Sequence, residues 1–239
     1  MPTQVIVTDT PIGVVNGGTG DSSLTAYAVM CGGTTTTGAV QSIAALGSSG
    51  QVLTSGGAGA LPTFTSAGRL VYLSQLSASN SASISFTSLI TSAYNSYLLT
   101  YYNVFPITNT AGLNMQISTN NGSSYIATNY LSGLNRIPYN SATAANANST
   151  TAYIITPGLS STTTNSPGNG YVILQNMMNS AIPSCGGAGT GYSTASAAFT
   201  QFTVGSTNTA NTNANAIQLA MNSGNISSGV FTLYGIKES

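Results

Sequence analysis

The chain has 239 residues, of which 3% are charged, with a formal net charge of zero, no histidine and two cysteines. An average soluble domain is ~25% charged. The deficit excludes nucleic-acid binding by phosphate neutralisation, which needs clustered Lys and Arg. It also excludes a basic amphipathic membrane helix, and the missing histidine removes most nucleophilic and zinc chemistry.

The polar surface must therefore be made of Ser, Thr, Asn, Gln and Tyr, groups that do not titrate near neutrality. No apolar run approaches the ~20 residues of a spanning helix. The N-terminus, MPTQVIVTDTPIGVV, lacks the basic and apolar regions of a secretory signal. A surface-like composition without that signal suits a particle released by lysis.

Residues 1–15 hold one strand-like run, Val5–Val7, and a turn at Thr10-Pro11. They read as an N-terminal arm that attaches to a larger body. Residues 16–68 are punctuated by glycine. The doublets Gly17-Gly18 and Gly32-Gly33 lie 15 residues apart, and Gly47 follows at the same interval. Between them stand short apolar runs, Ala26–Met30, Ala39-Val40, Ile43–Leu46 and Val52-Leu53. None can form a core alone. Linkers rarely carry repeated aliphatic clusters, so the segment is expected to find its core in other copies of itself, as an intertwined shaft.

From residue 69 the pattern becomes period 2. Leu70–Leu73, Ile84 and Phe86, Tyr97–Phe105, Leu113–Ile117, Tyr153–Ile155, Tyr171–Leu174, Phe199–Val204, Ile217–Met221 and Val230–Ile236 each read as strands. Asn120-Asn121-Gly122 and Asn222–Asn225 read as turns, and Ser88–Ala93 as one short helix. Asn140–Thr151 and Ser160–Gly170 read as polar surface loops. The fold class expected is all-β: a shaft-like segment followed by an antiparallel, jelly-roll-like β-sandwich over 69–239. Its core would contain Phe86, Leu99, Ile117, Ile173, Phe202, Leu219 and Leu233.

The stretch GGTG…SLTAYAVMCGGTTTTGAVQSIAALGSSGQVLTSGGAGALPTF, residues 17–64, resembles a module of tail-fibre and head-fibre proteins of tailed bacteriophages. Residues 81–239 resemble the β-rich tip that follows it in such proteins. The carrying residues there are Ser83–Phe86, Tyr94, Tyr97, Gln116–Gly122 and Ser228–Ile236. The resemblance implies a homotrimer, a place on the virion surface and a role in host attachment or capsid decoration. The N-terminal arm would then meet capsid or tail proteins. The little that precedes the module favours a short appendage on head or tail. A non-viral bacterial adhesin or carbohydrate-binding module is the alternative reading.

Catalysis is not expected. A glycosidase needs two carboxylates about the scissile bond, and no acidic residue lies between Asp21 and Glu238. No cofactor or metal site is expected, and Cys31 and Cys185 read as free thiols. The remaining candidate chemistry is tyrosine, 13 residues in a chain with no tryptophan. An amphipathic ring covers one face of a sugar while neighbouring amides meet its hydroxyls. Tyr125, Tyr130, Tyr139 and Tyr192 lie among Asn and Ser neighbours, and are the candidate ligand contacts for a host-surface glycan. Contacts of this kind are expected to be insensitive to salt, and to pH between about 5 and 8.

Overall fold

The computed structural model describes residues 12–14, 17–66, 68–139, 145–193, 197–209 and 213–237. The expected Val5–Val7 strand and Thr10-Pro11 turn lie outside these residues. The chain divides into two compact units, Met1–Gly68 and Arg69–Ser239.

The N-terminal unit holds two small antiparallel pairs: β1 (Met30–Cys31) with β2 (Gln41–Ser42), and β3 (Gln51–Thr54) with β4 (Thr63–Ser66). Among its described residues Ile43 is the one large apolar side chain that is buried. Ile12, Leu24, Tyr27, Met30, Leu46, Val52 and Leu53 are exposed. Local turns hold this unit together, not a core.

The second unit begins with β5 (Leu70–Ser81), β6 (Ile84–Phe86), β7 (Ser96–Pro106) and β8 (Leu113–Ser118). Next come β9 (Tyr130–Pro138), β10 (Ala145–Ser149), β11 (Tyr153–Ile154) and β12 (Gly168–Gln175). The last four are β13 (Ser184–Ser193), β14 (Ala198–Asn208), β15 (Ala216–Met221) and β16 (Ile226–Ile236). They form an eight-stranded sheet, β10-β9-β14-β13-β12-β7-β16-β5, and a four-stranded sheet, β11-β8-β15-β6.

Four of these strands, β9, β10, β13 and β14, are additions at one side. Without them the sheets are β5-β16-β7-β12 and β6-β15-β8-β11. The chain then crosses from one sheet to the other at every step but one, β8 to β11, which are antiparallel neighbours in the small sheet. First and last strands are neighbours in one sheet, and second and second-last in the other. This is the strand order of a jelly roll. The additions widen one sheet beyond the roll.

Alternation drives the packing. Tyr97, Leu99 and Tyr101 of β7 point inward and are buried, as do Leu113, Met115 and Ile117 of β8 and Phe231 and Leu233 of β16. One apolar cluster joins both sheets, and a smaller one, Leu134, Phe202 and Val204, lies under the added strands. Of the expected core, Phe86, Leu99, Ile117, Phe202, Leu219 and Leu233 are buried. Ile173 is not. It is the outward partner of Leu98, while Val172 and Leu174 on either side are fully buried. The β12 run is apolar on both faces, so its period-2 phase is ambiguous in sequence.

Two local expectations are corrected. Ser88–Ala93 forms bends and a turn, with no helix. The Tyr97 hydroxyl accepts the Thr91 N–H at 2.7 Å and donates to the Thr91 carbonyl at 2.6 Å, which occupies the groups a helix needs. The polar stretch 140–151 is not all loop, because β10 pairs with β9 within it. β13 was not expected at all, since SCGGAGTGYS offers few side chains to alternate. Glycine is needed there by close approach: a Cβ at Gly189 would meet the Phe202 ring and the Asn169 carbonyl. At the β15–β16 turn Gly224 has φ of +70°, the left-handed region that favours glycine.

Buried phenols set the pH limits of this fold. Desolvation pushes the Tyr130 phenol up to about 12, and raises those of Tyr97, Tyr101 and Tyr153 as well. Burial also pushes the Cys185 thiol up to about 12. An unfolded chain ionises its tyrosines near pH 10 and the folded one resists. Their stabilising effect is thus complete below that value and is lost as pH rises towards 12. Denaturant titration is expected to show near-constant stability from pH 3 to 9, then a steep fall above 10. In the same assay Phe86→Ala is expected to cost about 3–5 kcal/mol, because Phe86 is 1% exposed at the centre of the core.

Candidate functional site

The added strands present an outward face whose residues fall into rows across β13, β14 and β9. Inward positions are Leu134, Phe202 and Val204, so their strand neighbours face out. At one end Phe199 pairs with Tyr192. Tyr139 continues the β9 register beside them, its N–H donating to the Phe199 carbonyl at 2.9 Å. The three residues Tyr139, Phe199 and Tyr192 thus form an aromatic row. Tyr139 is 86% exposed and Phe199 45%, while Tyr192 is half-buried.

The next rows along the strands mix polar and apolar side chains. Ile137, Gln201 and Thr190 follow first. Asn146, Asn135, Thr203, Ala188 and Tyr171 make the row after. Beyond it the row Asn148, Gly133, Gly205, Gly186 and Ile173 forms a trough. Glycine is not forced on these three positions by the subunit. A Cβ at Gly205 would have nothing within 4 Å, and at Gly133 or Gly186 only a carbonyl oxygen at 3.8 Å. The result is a shallow groove of about 490 Å³, lined by Gly133, Asn135, Asn146, Asn148, Thr203 and Gly205 among others.

The polar groups of this groove are uncommitted. Asn135, Asn146, Asn148, Gln201 and Thr203 make no side-chain hydrogen bond among the described residues. Asn169, by contrast, is tied down: its Oδ1 accepts the Asn103 N–H at 2.9 Å and its Nδ2 donates to the Pro167 carbonyl at 3.2 Å. Free amides and hydroxyls flanking aromatic rings suit a neutral polyhydroxylated ligand, with one ring face against apolar C–H and amides on its hydroxyls.

The four tyrosines expected at the site separate. Tyr139 and Tyr192 come together with Phe199. Tyr125 lies on the loop between β8 and β9, its hydroxyl against Gly122, where a Cβ would come within 2.9 Å of it. It is at the opposite end of the nine-residue β9 from Tyr139, ~30 Å away at the strand rise. Tyr130 is a correction. It is 1% exposed, its ring packs edge-on against Tyr153 at 4.8 Å, and its hydroxyl accepts the Ile117 N–H and donates to the Ile126 carbonyl. It begins β9 on the inward side, where no ligand reaches it.

In sequence Phe199 reads as a strand residue, and neither its place beside Tyr139 and Tyr192 nor the groove amides is legible there. Tyr130, Ser132 and Leu134 alternate with Leu131, Gly133 and Asn135, and that alternation was the available signal for β9. No group of His, Cys, Asp or Glu able to hold a metal occurs among the described residues.

The two thiols differ in reach. Cys185 is buried and its pKa is raised, whereas Cys31 is half-buried in the N-terminal unit. Alkylation of native protein at pH 8 is expected to label Cys31 alone, with Cys185 labelled only after unfolding. Mass mapping of the modified peptides reads this directly.

No protein-family model matches the chain, and neither a curated protein nor a solved structure shows significant similarity to it.

Proposed function

We propose that this chain is a structural virion protein of a tailed bacteriophage, a short trimeric fibre or decoration protein on head or tail. Its jelly-roll unit adheres to host-surface glycan through the outward face of β13, β14 and β9. The observation that carries the adhesive part is the aromatic row Tyr139, Phe199 and Tyr192 on the same face as an uncharged groove with free amides, one row of residues away from it. Large exposed aromatics next to unpaired amides have no role in holding the subunit together, and they match the chemistry of a sugar ring.

The trimeric part rests on the N-terminal unit. Seven large apolar side chains are exposed there and one is buried, which leaves its apolar surface to be covered by other copies. Three heads on one shaft turn weak single-site contact into avidity. The reading assigns no catalytic role, consistent with the lack of a carboxylate pair in the head sequence.

Sedimentation equilibrium of the full chain is expected to give a trimer, and a stable monomer would sink that part. Adsorption of the purified protein to host cells tests the rest. Tyr139→Ala and Phe199→Ala are expected to lower adsorption about tenfold or more, because avidity multiplies a per-site loss, with the unfolding midpoint unchanged. Wild-type levels of adsorption in both variants would contradict the assignment of this face.

A further inference from the structure

Arg136 is the second feature of the added strands that the fold does not use. It lies on the inward side of β9, cross-strand from Phe202 on β14. It sits past the apolar cluster of Leu134, Phe202 and Val204. Here β11 no longer covers the widened sheet, and a cleft of about 280 Å³ opens. Arg136, Asn114, Asn148, Thr156, Asn222 and Ile154 are among its lining residues.

Arg136 is half-buried as a residue, and its guanidinium makes no ion pair or hydrogen bond among the described residues. It has five donors and no acceptor. Its partner cannot come from the surrounding sequence, because no Asp or Glu occurs between Asp21 and Glu238. The rest of the wall is fixed or free in a telling way. Thr156 Oγ1 accepts the Leu113 N–H at 2.9 Å and donates to the Pro157 carbonyl at 3.0 Å. Asn222 Oδ1 accepts the Gly112 N–H at 3.1 Å, and its Nδ2 has no partner among the described residues. Asn114 and Asn148 make no side-chain hydrogen bond.

A half-buried cation without a counter-charge is costly, and planar guanidinium is the group best suited to grip an oxyanion through two parallel hydrogen bonds. We infer that the Arg136 cleft binds the oxyanion, carboxylate or phosphate, of an acidic surface polysaccharide, with the amides of Asn114 and Asn222 donating alongside. This deepens the glycan reading above and rests on it. Asn148 on the edge strand lines both the outer groove and the cleft. A glycan lying in the groove thus reaches the cleft by passing one strand. At about 280 Å³ the cleft is below the ~300–1,000 Å³ of drug-sized pockets, the scale of one charged sugar residue. A sugar carboxylate stays ionised above pH 5 and the chain has no histidine, so binding remains flat between pH 5 and 8. The expectation of salt insensitivity changes: one screened contact per subunit is added.

The test is calorimetric titration of the full chain with trigalacturonate, with its neutral methyl ester, and with inorganic phosphate as competitor. Wild type is expected to bind the acid about tenfold more tightly than the ester. Arg136→Gln is expected to bind the two alike, and Arg136→Lys to retain part of the preference. Displacement of trigalacturonate by phosphate supports the site and assigns phosphorylated polymers as a source; an acid preference that phosphate does not displace supports it and assigns uronic acids. Equal binding of acid and ester by wild type overturns the cleft and leaves the neutral groove standing. Retention of the preference in Arg136→Gln does the same. Binding of neither form overturns both, including the case in which a carboxylate of another copy fills the cleft. Should Arg136→Gln unfold, Asn114→Ala in wild-type background supplies the readout, since a weakened acid preference is expected and its full retention overturns the cleft.

Discussion

Tyrosine burial between two antiparallel sheets is the interaction on which the second unit depends. A chain with six charged residues has little to draw from ion pairs, and its strands carry as much Ser, Thr and Gly as aliphatic residues. Tyr97, Tyr101, Tyr130 and Tyr153 fill the volume that smaller side chains leave. Three of their hydroxyls turn back onto the backbone: Tyr97 on Thr91, Tyr130 on Ile117 and Ile126, Tyr153 on Pro183 at 3.0 Å. Each of these three hydroxyls is thereby satisfied, and each bond ties a loop to the core. The same rings that make the sandwich stable near neutrality make it sensitive to alkali, since their ionisation must be suppressed to stay folded.

The placement of the groove follows from the topology. A jelly roll of β5-β16-β7-β12 over β6-β15-β8-β11 is complete in itself. The insertions after β8 and β12 meet at the β9–β14 pair, and so extend one sheet without a matching extension of the other. On the outer side this yields a broad face with no covering layer within its unit. On the inner side it leaves a cleft past the edge of the small sheet, where Arg136 stands. Both candidate binding features therefore come from one architectural fact. They share a border at the edge strand β10, through Asn148.

The fold was largely legible because alternation is strict where it matters: Tyr97, Leu99 and Tyr101 against Leu98, Thr100 and Tyr102 could hardly be read otherwise. The misreadings have physical reasons. Ile173 lies in a run apolar on both faces, so its phase is set by pairing with Leu98 and not by its own sequence. β13 is glycine-rich because Gly187 and Gly189 must clear the backbone of β12, and a strand defined by such clearance has no hydrophobic period. The site was legible only in its chemistry. Tyr139 and Tyr192 were chosen for their polar neighbours, and the same criterion selected Tyr130, which the start of β9 turns into the core. What the sequence could not show is that Phe199 joins Tyr139 and Tyr192, since three residues from three strands meet through long-range register alone.

The central claim is that the outward face of β13, β14 and β9 is adhesive. Amide hydrogen exchange of the full chain, with and without purified surface polysaccharide of the host, tests it most directly, because it reports protection residue by residue. The account requires slowed exchange over Tyr139, Phe199, Tyr192 and the Gly133–Asn135 and Thr203–Gly205 segments, with the β5–β16 edge unchanged. Protection confined to that edge, or none at saturating polysaccharide, would contradict it.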